Sequence, residues 1–178
     1  MALLSVRDLH VEFAGRTRTV RAVRGLSYDL RAGETLAIVG ESGSGKSVSA
    51  LTLLGLLPAR TSRVPKGSIR FEGRELLGLP QAELSRIRGA RIAMIFQDAL
   101  SSLNPVLTIE RQITEALETH TDLTGAQAHD RALELLRLVG IPDAERRLRE
   151  YPHQYSGGMR QRAMIAMALA CQPSLLIA

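Results

Sequence analysis

The apolar residues of this chain fall into short runs that glycines, prolines and charged residues interrupt. From Leu3 to Phe13 and from Thr19 to Leu30, apolar and polar positions alternate loosely, and the segment AGRTRT between them is rich in turn formers. Alternation with a period of two is typical of strands that bury one face. The pattern predicts an antiparallel pair of strands at the start of the chain.

Several shorter runs are typical of strands. Three of them are mostly apolar and have the composition of buried strands, and the fourth, GSIRFEG, is bounded by glycines. We therefore predict three further strands and the start of another in the final residues. The segments are ETLAIV at Glu34–Val39, GSIRFEG at Gly67–Gly73, RIAMIF at Arg91–Phe96 and PSLLIA at Pro173–Ala178.

Helical periodicity appears between these runs. Ala132, Leu135, Leu136 and Val139 are spaced at i, i+3, i+4 and i+7, and Gly140 follows as a stop signal. Other segments have the same character more weakly. Helices are expected at about Lys46–Leu57, Pro80–Arg88, within Ile109–Gly140 and at Gly157–Cys171.

Apolar strands separated by helices are typical of an α/β fold with a parallel sheet. We predict a single domain over residues 1–178, with a β-rich core at about 1–97 and a helical insertion at about 98–160. Its last part, about 161–178, contains a helix and the start of a strand. The length of 178 residues, of which 45% are hydrophobic, is sufficient for one core.

The composition indicates in which cellular compartment the protein is found. The single cysteine, Cys171, cannot form an internal disulfide, so nothing indicates an oxidising compartment. The N-terminal MALLSVRDLH lacks a basic leader, and the longest uncharged run is shorter than the roughly 20 residues of a membrane helix. The sequence predicts neither a signal peptide nor a transmembrane segment.

The net charge of +5 includes two arginine clusters, at Arg16–Arg24 and Arg86–Arg91. Such a balance is compatible with nucleic acid, nucleotides or an anionic surface as partner. Aromatic residues make up only 3% of the chain and do not interleave with the basic ones. We therefore interpret the arginines as solvated, and expect no nucleic-acid partner.

The segment GESGSGKS matches the phosphate-binding pattern G-x-x-x-x-G-K-[ST], between a predicted buried strand and a predicted helix. Its small residues allow successive backbone N–H groups to surround an anion, and the helix N-terminus adds partial positive charge. The lysine would reach the β- and γ-phosphates, and the last serine would bind Mg²⁺. The candidate residues are Gly40, Glu41, Ser42, Gly43, Ser44, Gly45, Lys46 and Ser47.

Two further segments accompany this loop: FQD at Phe96–Asp98 and SGGM at Ser156–Met159. With these three motifs in this order, the chain resembles the ATP-binding domains of ABC transporters over essentially its whole length. FQDALSSLNP and YPHQYSGGMRQR are similar, in particular, to the ATPases of oligopeptide, dipeptide and nickel importers. Ala99 stands where those proteins usually carry proline, and Tyr155 and Met159 depart from the commonest signature, LSGGQ.

The resemblance implies roles for residues outside the loop. Gln97 would contact Mg²⁺ or water near the γ-phosphate and act in catalysis together with Lys46. Ser156, Gly157 and Gly158 would close on ATP held by a second copy of the domain, in a head-to-tail dimer. Phe13 lies near the position of an adenine-stacking aromatic ring, although it shares a face with core residues.

The resemblance also implies partners and a location. These are a second ATP-binding subunit, identical or different, transmembrane permease subunits and, indirectly, a solute-binding protein. The chain would act at the cytoplasmic face of the membrane as a peripheral ATPase that couples ATP hydrolysis to solute uptake. Two alternatives stay open: a non-enzymatic fragment, and a soluble ABC-type ATPase acting on nucleic acid.

The resemblance leads to a further expectation about the last residues of the sequence and about ATP hydrolysis. In the family, an Asp-Glu pair that helps to hold Mg²⁺ and activate water directly follows an apolar strand, whereas here no Asp or Glu follows Glu150. The resemblance therefore predicts that PSLLIA is that strand and that the sequence stops before the pair. ATP hydrolysis by this chain would then be slow or absent.

Overall fold

The computed structural model describes residues 2–15, 18–98 and 102–178. The chain forms two compact units, residues 1–85 and residues 86–178. The predicted turn AGRTRT includes Arg16 and Thr17, which lie outside the described residues, as does Ala99 in the segment after Gln97.

The first unit contains a four-stranded antiparallel sheet. Its strands are β1 (Leu4–Ala14), β2 (Thr19–Leu30), β3 (Ser62–Phe71) and β4 (Arg74–Glu75), in the order β2-β1-β3-β4. The predicted antiparallel pair at the start of the chain is confirmed. The third strand begins five residues before the predicted Gly67, because residues 62–66 pair with the outer half of β1.

A β-bulge in β1 explains why the alternation in this segment is loose. Leu4 and Val6 are buried, and the next buried side chains are Leu9 and Val11, so the phase shifts by one residue. The shift coincides with a break in register between Val6 and Leu9, where Asp8 adopts a φ of 42°. An extra residue in one strand locally interrupts the period of two.

Two helices belong wholly or largely to this unit, α1 (Lys46–Leu53) and α2 (Gln81–Ile87). The second agrees with its prediction to within one residue at each end. The first ends four residues before the predicted Leu57. Gly55 follows with a φ of 59°, a left-handed conformation that stops a helix.

The prediction of a buried strand at Glu34–Val39 is wrong for this structure. These residues belong to no strand, and their side chains are exposed, Val39 by 92%. A strand forms only where a neighbour can pair with its backbone, and within the described part of the first unit no strand runs beside this segment. Apolar composition alone could not reveal the missing neighbour.

The second unit combines a short parallel sheet with helices. Its strands are β5 (Ile92–Met94) and β6 (Leu175–Ile177), and its helices are α3 (Ile109–His120), α4 (Ala126–Leu138), α5 (Ala144–Leu148) and α6 (Gly157–Leu169), with a 3-10 turn at Pro152–Gln154. Helix α6 ends two residues before the predicted Cys171.

The two strands pair in parallel, with Ile92 opposite Leu175 and Met94 opposite Ile177. Beyond them, the N–H of Ile95 donates a 2.8 Å hydrogen bond to the carbonyl oxygen of Ile177. The predicted strands within RIAMIF and PSLLIA are confirmed, although each is three residues long.

Helices α3, α4 and α6 enclose the core of this unit. Ala132, Leu135 and Leu136 are fully buried, as the helical spacing predicts, while Val139 packs at the edge of the core. Ile109, Ile113 and Leu117 of α3 face the same cluster, together with Ala163 and Ala166 of α6. Small residues on α6 allow the three helices to approach closely.

Among the residues that the structure describes, none of the helices is both long and apolar enough to cross a membrane.

Candidate nucleotide-binding site

The loop at residues 40–47 connects an extended segment to the N-terminus of α1. Gly43 and Gly45 adopt φ values of 82° and 94°, in the left-handed region that glycine enters at little cost. Between them, the N–H of Ser44 donates a 3.2 Å hydrogen bond to the carbonyl oxygen of Glu41. The loop therefore turns back on itself immediately before the helix.

Helix α1 begins without a side chain that caps it. Gly45 is the N-cap residue and has no side chain, so the side-chain oxygen that usually accepts from a first-turn N–H is absent. The first turn also contains no acidic residue. Free N–H groups and the positive end of the helix dipole make this terminus suited to an anion.

The Lys46 side chain folds over the loop. Its Nζ atom donates hydrogen bonds to the carbonyl oxygens of Gly40, at 2.6 Å, and Glu41, at 2.8 Å, and lies 3.4 Å from Ser44 Oγ. Two carbonyl oxygens of the loop thus hold the ammonium group against the loop. A phosphate entering the loop would meet this charge directly.

The Ser47 side chain is exposed on the first turn of α1. Mg²⁺ in nucleotide sites is usually bound by few protein ligands, with phosphate oxygens and waters completing the octahedron. The exposed hydroxyl of Ser47, one residue after Lys46, fits that requirement. Ser47 can therefore supply one oxygen ligand to a metal that a nucleotide brings.

An open groove of about 540 Å³ runs along the loop within the first unit. One wall consists of the loop, the residues directly before it and α1, and the other consists of residues 21–26 of β2. The lining residues are Arg21, Ala22, Val23, Arg24, Gly25, Leu26, Ile38, Val39, Gly43, Ser44, Gly45, Lys46 and Ser49.

Phe13 is half-buried near the end of β1, opposite Val20 of β2 and Ser62 of β3. It is not among the residues that line the groove. Leu9 and Val11, on the same face, are completely buried. The described structure therefore does not bring Phe13 to the phosphate loop, and adenine stacking by this residue stays a prediction.

The Ser-Gly-Gly segment lies in the second unit, at the N-terminus of α6. Ser156 is the N-cap residue, and its hydroxyl accepts a hydrogen bond from the N–H of Met159 at 3.3 Å. Gly157 and Gly158 are exposed, and a Cβ built on either would meet no atom within 4 Å. The segment is thus an open helix terminus whose glycines no intrachain packing requires.

The residues before this terminus hold it in place. Tyr155 is buried, its hydroxyl donates a 2.9 Å hydrogen bond to the carbonyl oxygen of Arg147, and burial raises the pKa of its phenol. Arg160 Nε donates a 2.7 Å bond back to the carbonyl oxygen of Pro152. Tyr155, where the resemblance gave a departure from the usual signature, therefore anchors the segment to α5.

Gln97 also belongs to the second unit, in a bend three residues after β5 ends, and its side chain is exposed. Because β5 and β6 are parallel, their carboxyl ends meet at one edge of the pair, and Gln97 follows that edge. This is the position from which a side-chain amide can face a ligand bound at strand ends.

The sequence motifs did not reveal the wall of the groove formed by β2. Arg21 and Arg24 were interpreted as part of a solvated cluster, yet both line the groove beside Lys46. Their exposed charge was visible in the sequence, but their proximity to the loop depends on how α1 packs against β2.

An α/β fold, a glycine-rich loop that leads into a helix and a separate helical unit are together typical of one class of nucleotide-binding proteins. Comparison with known proteins identifies the family within that class. The family model described as ABC transporter matches residues 23–178. The chain belongs to the ABC transporter family.

The curated relatives are transport ATP-binding proteins. The chain is 56% identical over 176 residues to the probable peptide ABC transporter ATP-binding protein y4tR of Sinorhizobium fredii, covering 99% of this chain and 52% of the relative. It is 53% identical over 176 residues to the dipeptide transport ATP-binding protein DppD of Bacillus subtilis, with the same two coverages. The chain thus spans about half the length of the curated relatives it matches.

A solved structure shares the fold. The dimeric structure of a post-hydrolysis state of the ATP-binding cassette MJ0796, bound to ADP and Pi, superposes with a TM-score of 0.86 at 26% identity. The match covers 97% of this chain and 72% of that one. The predicted fold class, an ABC ATPase core with an N-terminal antiparallel portion and a helical part, is confirmed.

Proposed function

We propose that this chain is the ATP-binding part of an ABC importer that couples ATP binding and hydrolysis to the uptake of peptides or similar small solutes. The observation that carries the proposal is the Lys46 ammonium held by the carbonyl oxygens of Gly40 and Glu41, next to an uncapped helix terminus. The names of the peptide and dipeptide transport relatives support the solute class.

In this proposal, the loop at residues 40–47 binds the β- and γ-phosphates of ATP. Backbone N–H groups and Lys46 stabilise the phosphate charge, and the Ser47 hydroxyl binds the Mg²⁺ that accompanies the nucleotide. The metal neutralises charge that develops on the phosphates during hydrolysis. Glu41 and Ser42 contribute backbone rather than side chains to this contact.

The second unit would supply two elements of the same reaction. Gln97 would orient water or a metal ligand near the γ-phosphate. Ser156, Gly157 and Gly158 would close on the ATP of a second ATP-binding subunit, because their open helix terminus offers N–H groups to an anion. The subunits would act at the cytoplasmic face of the membrane with permease subunits and, indirectly, a solute-binding protein.

The division of the chain follows from this assignment. Residues of about 1–97 would form the nucleotide-binding core, about 98–160 the helical subdomain, and about 161–178 the signature helix and the following strand. ATP hydrolysis is proposed for the whole protein, with an identical or a different ATPase as partner.

Nucleotide binding is tested with Lys46→Met, using Lys66→Met as the matched control. Lys66 is an exposed lysine on β3 that pairs with Asp8, outside the groove. Titration calorimetry with Mg²⁺-ATP should show that the Lys46 change weakens binding at least tenfold and the Lys66 change does not. Equal affinity in both variants would contradict the assignment of the loop.

Transport is tested in cells that carry the same two substitutions in the chromosomal gene. Uptake of labelled dipeptides and oligopeptides should be lost with Lys46→Met and retained with Lys66→Met. If the Lys46 variant loses ATP binding in vitro but takes up peptides at the unchanged rate, the assignment of the nucleotide site stands. The assignment of the protein to a peptide importer is then wrong.

A further inference from the structure

We propose that Arg24 is an additional phosphate-binding residue, which contacts the nucleotide from the β2 wall of the groove. The inference rests on the proposed nucleotide-binding function. It goes beyond the loop motif, because Arg24 precedes the loop by sixteen residues and belongs to a different element.

The backbone of β2 is irregular where Arg24 lies. In the pairing with β1, Ala22 and Gly25 have no opposite residue, so two bulges flank the pair Val23 and Arg24. Gly25 has a φ of 86°. Bulges bend a strand and redirect its side chains, and they are frequent beside binding sites. Val23 becomes buried, and Arg24 is exposed on the wall of the groove.

The charged side chains that line the described part of the groove are all positive. Arg21, Arg24 and Lys46 line it, and none of the described residues that line it carries a carboxylate. Carboxylates near a loop that binds phosphate would oppose the ligand's charge, so a lining with cations alone favours a polyanion.

The two arginines differ in their partners. Arg21 Nε lies 3.3 Å from Glu12 Oε1, and this carboxylate also pairs with Arg63 at 2.7 Å. Arg24 donates only a long Nε bond, 3.4 Å, to the carbonyl oxygen of Arg21, and it has no acidic partner among the residues described. Among the described residues, Arg24 is therefore the arginine of the β2 wall that contacts no carboxylate.

An arginine without a carboxylate contact can bind a ligand here, because the groove continues beyond the loop along β2. The loop and Lys46 can bind the terminal phosphates of a nucleotide. The rest of the nucleotide would then extend along β2. A guanidinium group presents a planar pair of N–H donors that matches two phosphate oxygens. Arg24 would therefore bind the phosphate chain from the side opposite α1.

The test compares Arg24→Gln with Arg60→Gln, which removes the same charge from an exposed position of the first unit outside the groove. Titration calorimetry of the 178-residue chain with Mg²⁺-ATP and with adenosine measures both affinities. Arg24→Gln should weaken ATP binding about tenfold, as expected for loss of a charge-assisted hydrogen bond, and leave adenosine binding unchanged. Arg60→Gln should change ATP binding less than threefold.

Two results would overturn the assignment of Arg24 as a phosphate-binding residue and leave the proposed nucleotide-binding function intact. One is equal ATP affinity in the Arg24 and Arg60 variants while Lys46→Met abolishes binding. The other is a parallel loss of ATP and adenosine affinity, which indicates a distorted groove. Thermal melting of each variant, with Arg24→Lys as the variant that keeps the charge, separates binding from folding. A wild-type chain that binds no ATP would overturn both proposals.

Discussion

Gly45 lies directly against the backbone of Ala22. A Cβ built on Gly45 would be 2.4 Å from the carbonyl oxygen of Ala22 and 3.2 Å from Cγ2 of Val23. Gly45 also has a φ of 94° and is the N-cap residue of α1. The last glycine of the phosphate loop therefore sets both the turn into the helix and the contact between that turn and the bulged part of β2.

Substitution of Gly45 by alanine should destabilise the first unit more than the same change at Gly43. Both glycines have left-handed φ values, which cost alanine about 1–2 kcal/mol. Only Gly45 adds a steric conflict with backbone, and such overpacking costs a further ~1–3 kcal/mol. Urea unfolding measures both variants, and equal free energies of unfolding would show that the contact with Ala22 relaxes freely.

Ser156 should contribute to stability as a helix cap. Its hydroxyl accepts from the N–H of Met159, so Ser156→Ala should lower the free energy of unfolding by about 0.5–2 kcal/mol. Gly157→Ala should not destabilise the chain, because in the part of the chain that the structure describes no atom outside the helix backbone lies within 4 Å of the added methyl group. Chemical denaturation of both variants tests this contrast, and a large loss at Gly157 would contradict the open terminus.

Gln112 is a buried polar residue whose amide organises the segment before α3. Its Oε1 accepts from the N–H of Asn104 at 2.8 Å, and its Nε2 donates to the carbonyl oxygens of Asn104 and Leu107 at 3.0 Å each. Gln112→Leu removes these three hydrogen bonds to the backbone and should cost about 1–3 kcal/mol of unfolding free energy.

Glu115→Leu, on an exposed position of the same helix, is the control for this change. It should alter the free energy of unfolding by less than about 0.5 kcal/mol. A Gln112 variant no less stable than this control would show that the amide network contributes nothing.

Glu75 should make stability depend on pH. Burial by itself raises the pKa of this carboxyl, but hydrogen bonds from the Ser68 hydroxyl and the N–H groups of Ile69 and Leu77 outweigh it, so the pKa is lowered. A depressed folded-state pKa contributes stability that is complete above the unfolded value of 4.5 and is lost as the pH falls through the folded value.

Urea unfolding of the wild type and of Glu75→Gln between pH 7 and pH 2.5 measures this contribution. The wild type should be the more stable chain at pH 7, and the difference should shrink below pH 4.5. A difference that stays constant over this range would assign the effect of the substitution to packing instead of ionisation.

Local patterns predicted most of the elements. The i, i+3, i+4, i+7 spacing at Ala132–Val139 and the glycine after it predicted the second half of α4 and its end, because helical hydrogen bonds and the burial of one face are properties of a continuous segment. The motif GESGSGKS likewise located a turn into a helix, since glycine conformations and the helix start are encoded in adjacent residues.

Pairing between distant segments was less predictable. ETLAIV has the composition of a buried strand, yet it is exposed because no neighbouring strand of the described first unit satisfies its backbone. The bulge at Asp8 shifted the alternation of β1 for a similar reason, since its geometry depends on which residues of β2 and β3 lie opposite.

The sequence by itself predicted the turn at residues 40–47 into a helix and the helix cap at Ser156, because each depends on adjacent residues. Three short motifs in a fixed order were sufficient to indicate the family, which the family model over residues 23–178 shows. Only the tertiary structure decided that Gly45 must fit against Ala22, and that Arg24 shares a groove with Lys46 while Arg21 pairs with Glu12. These relationships depend on how a helix packs on a bulged strand, and the distances involved are set by backbone geometry that no local pattern records.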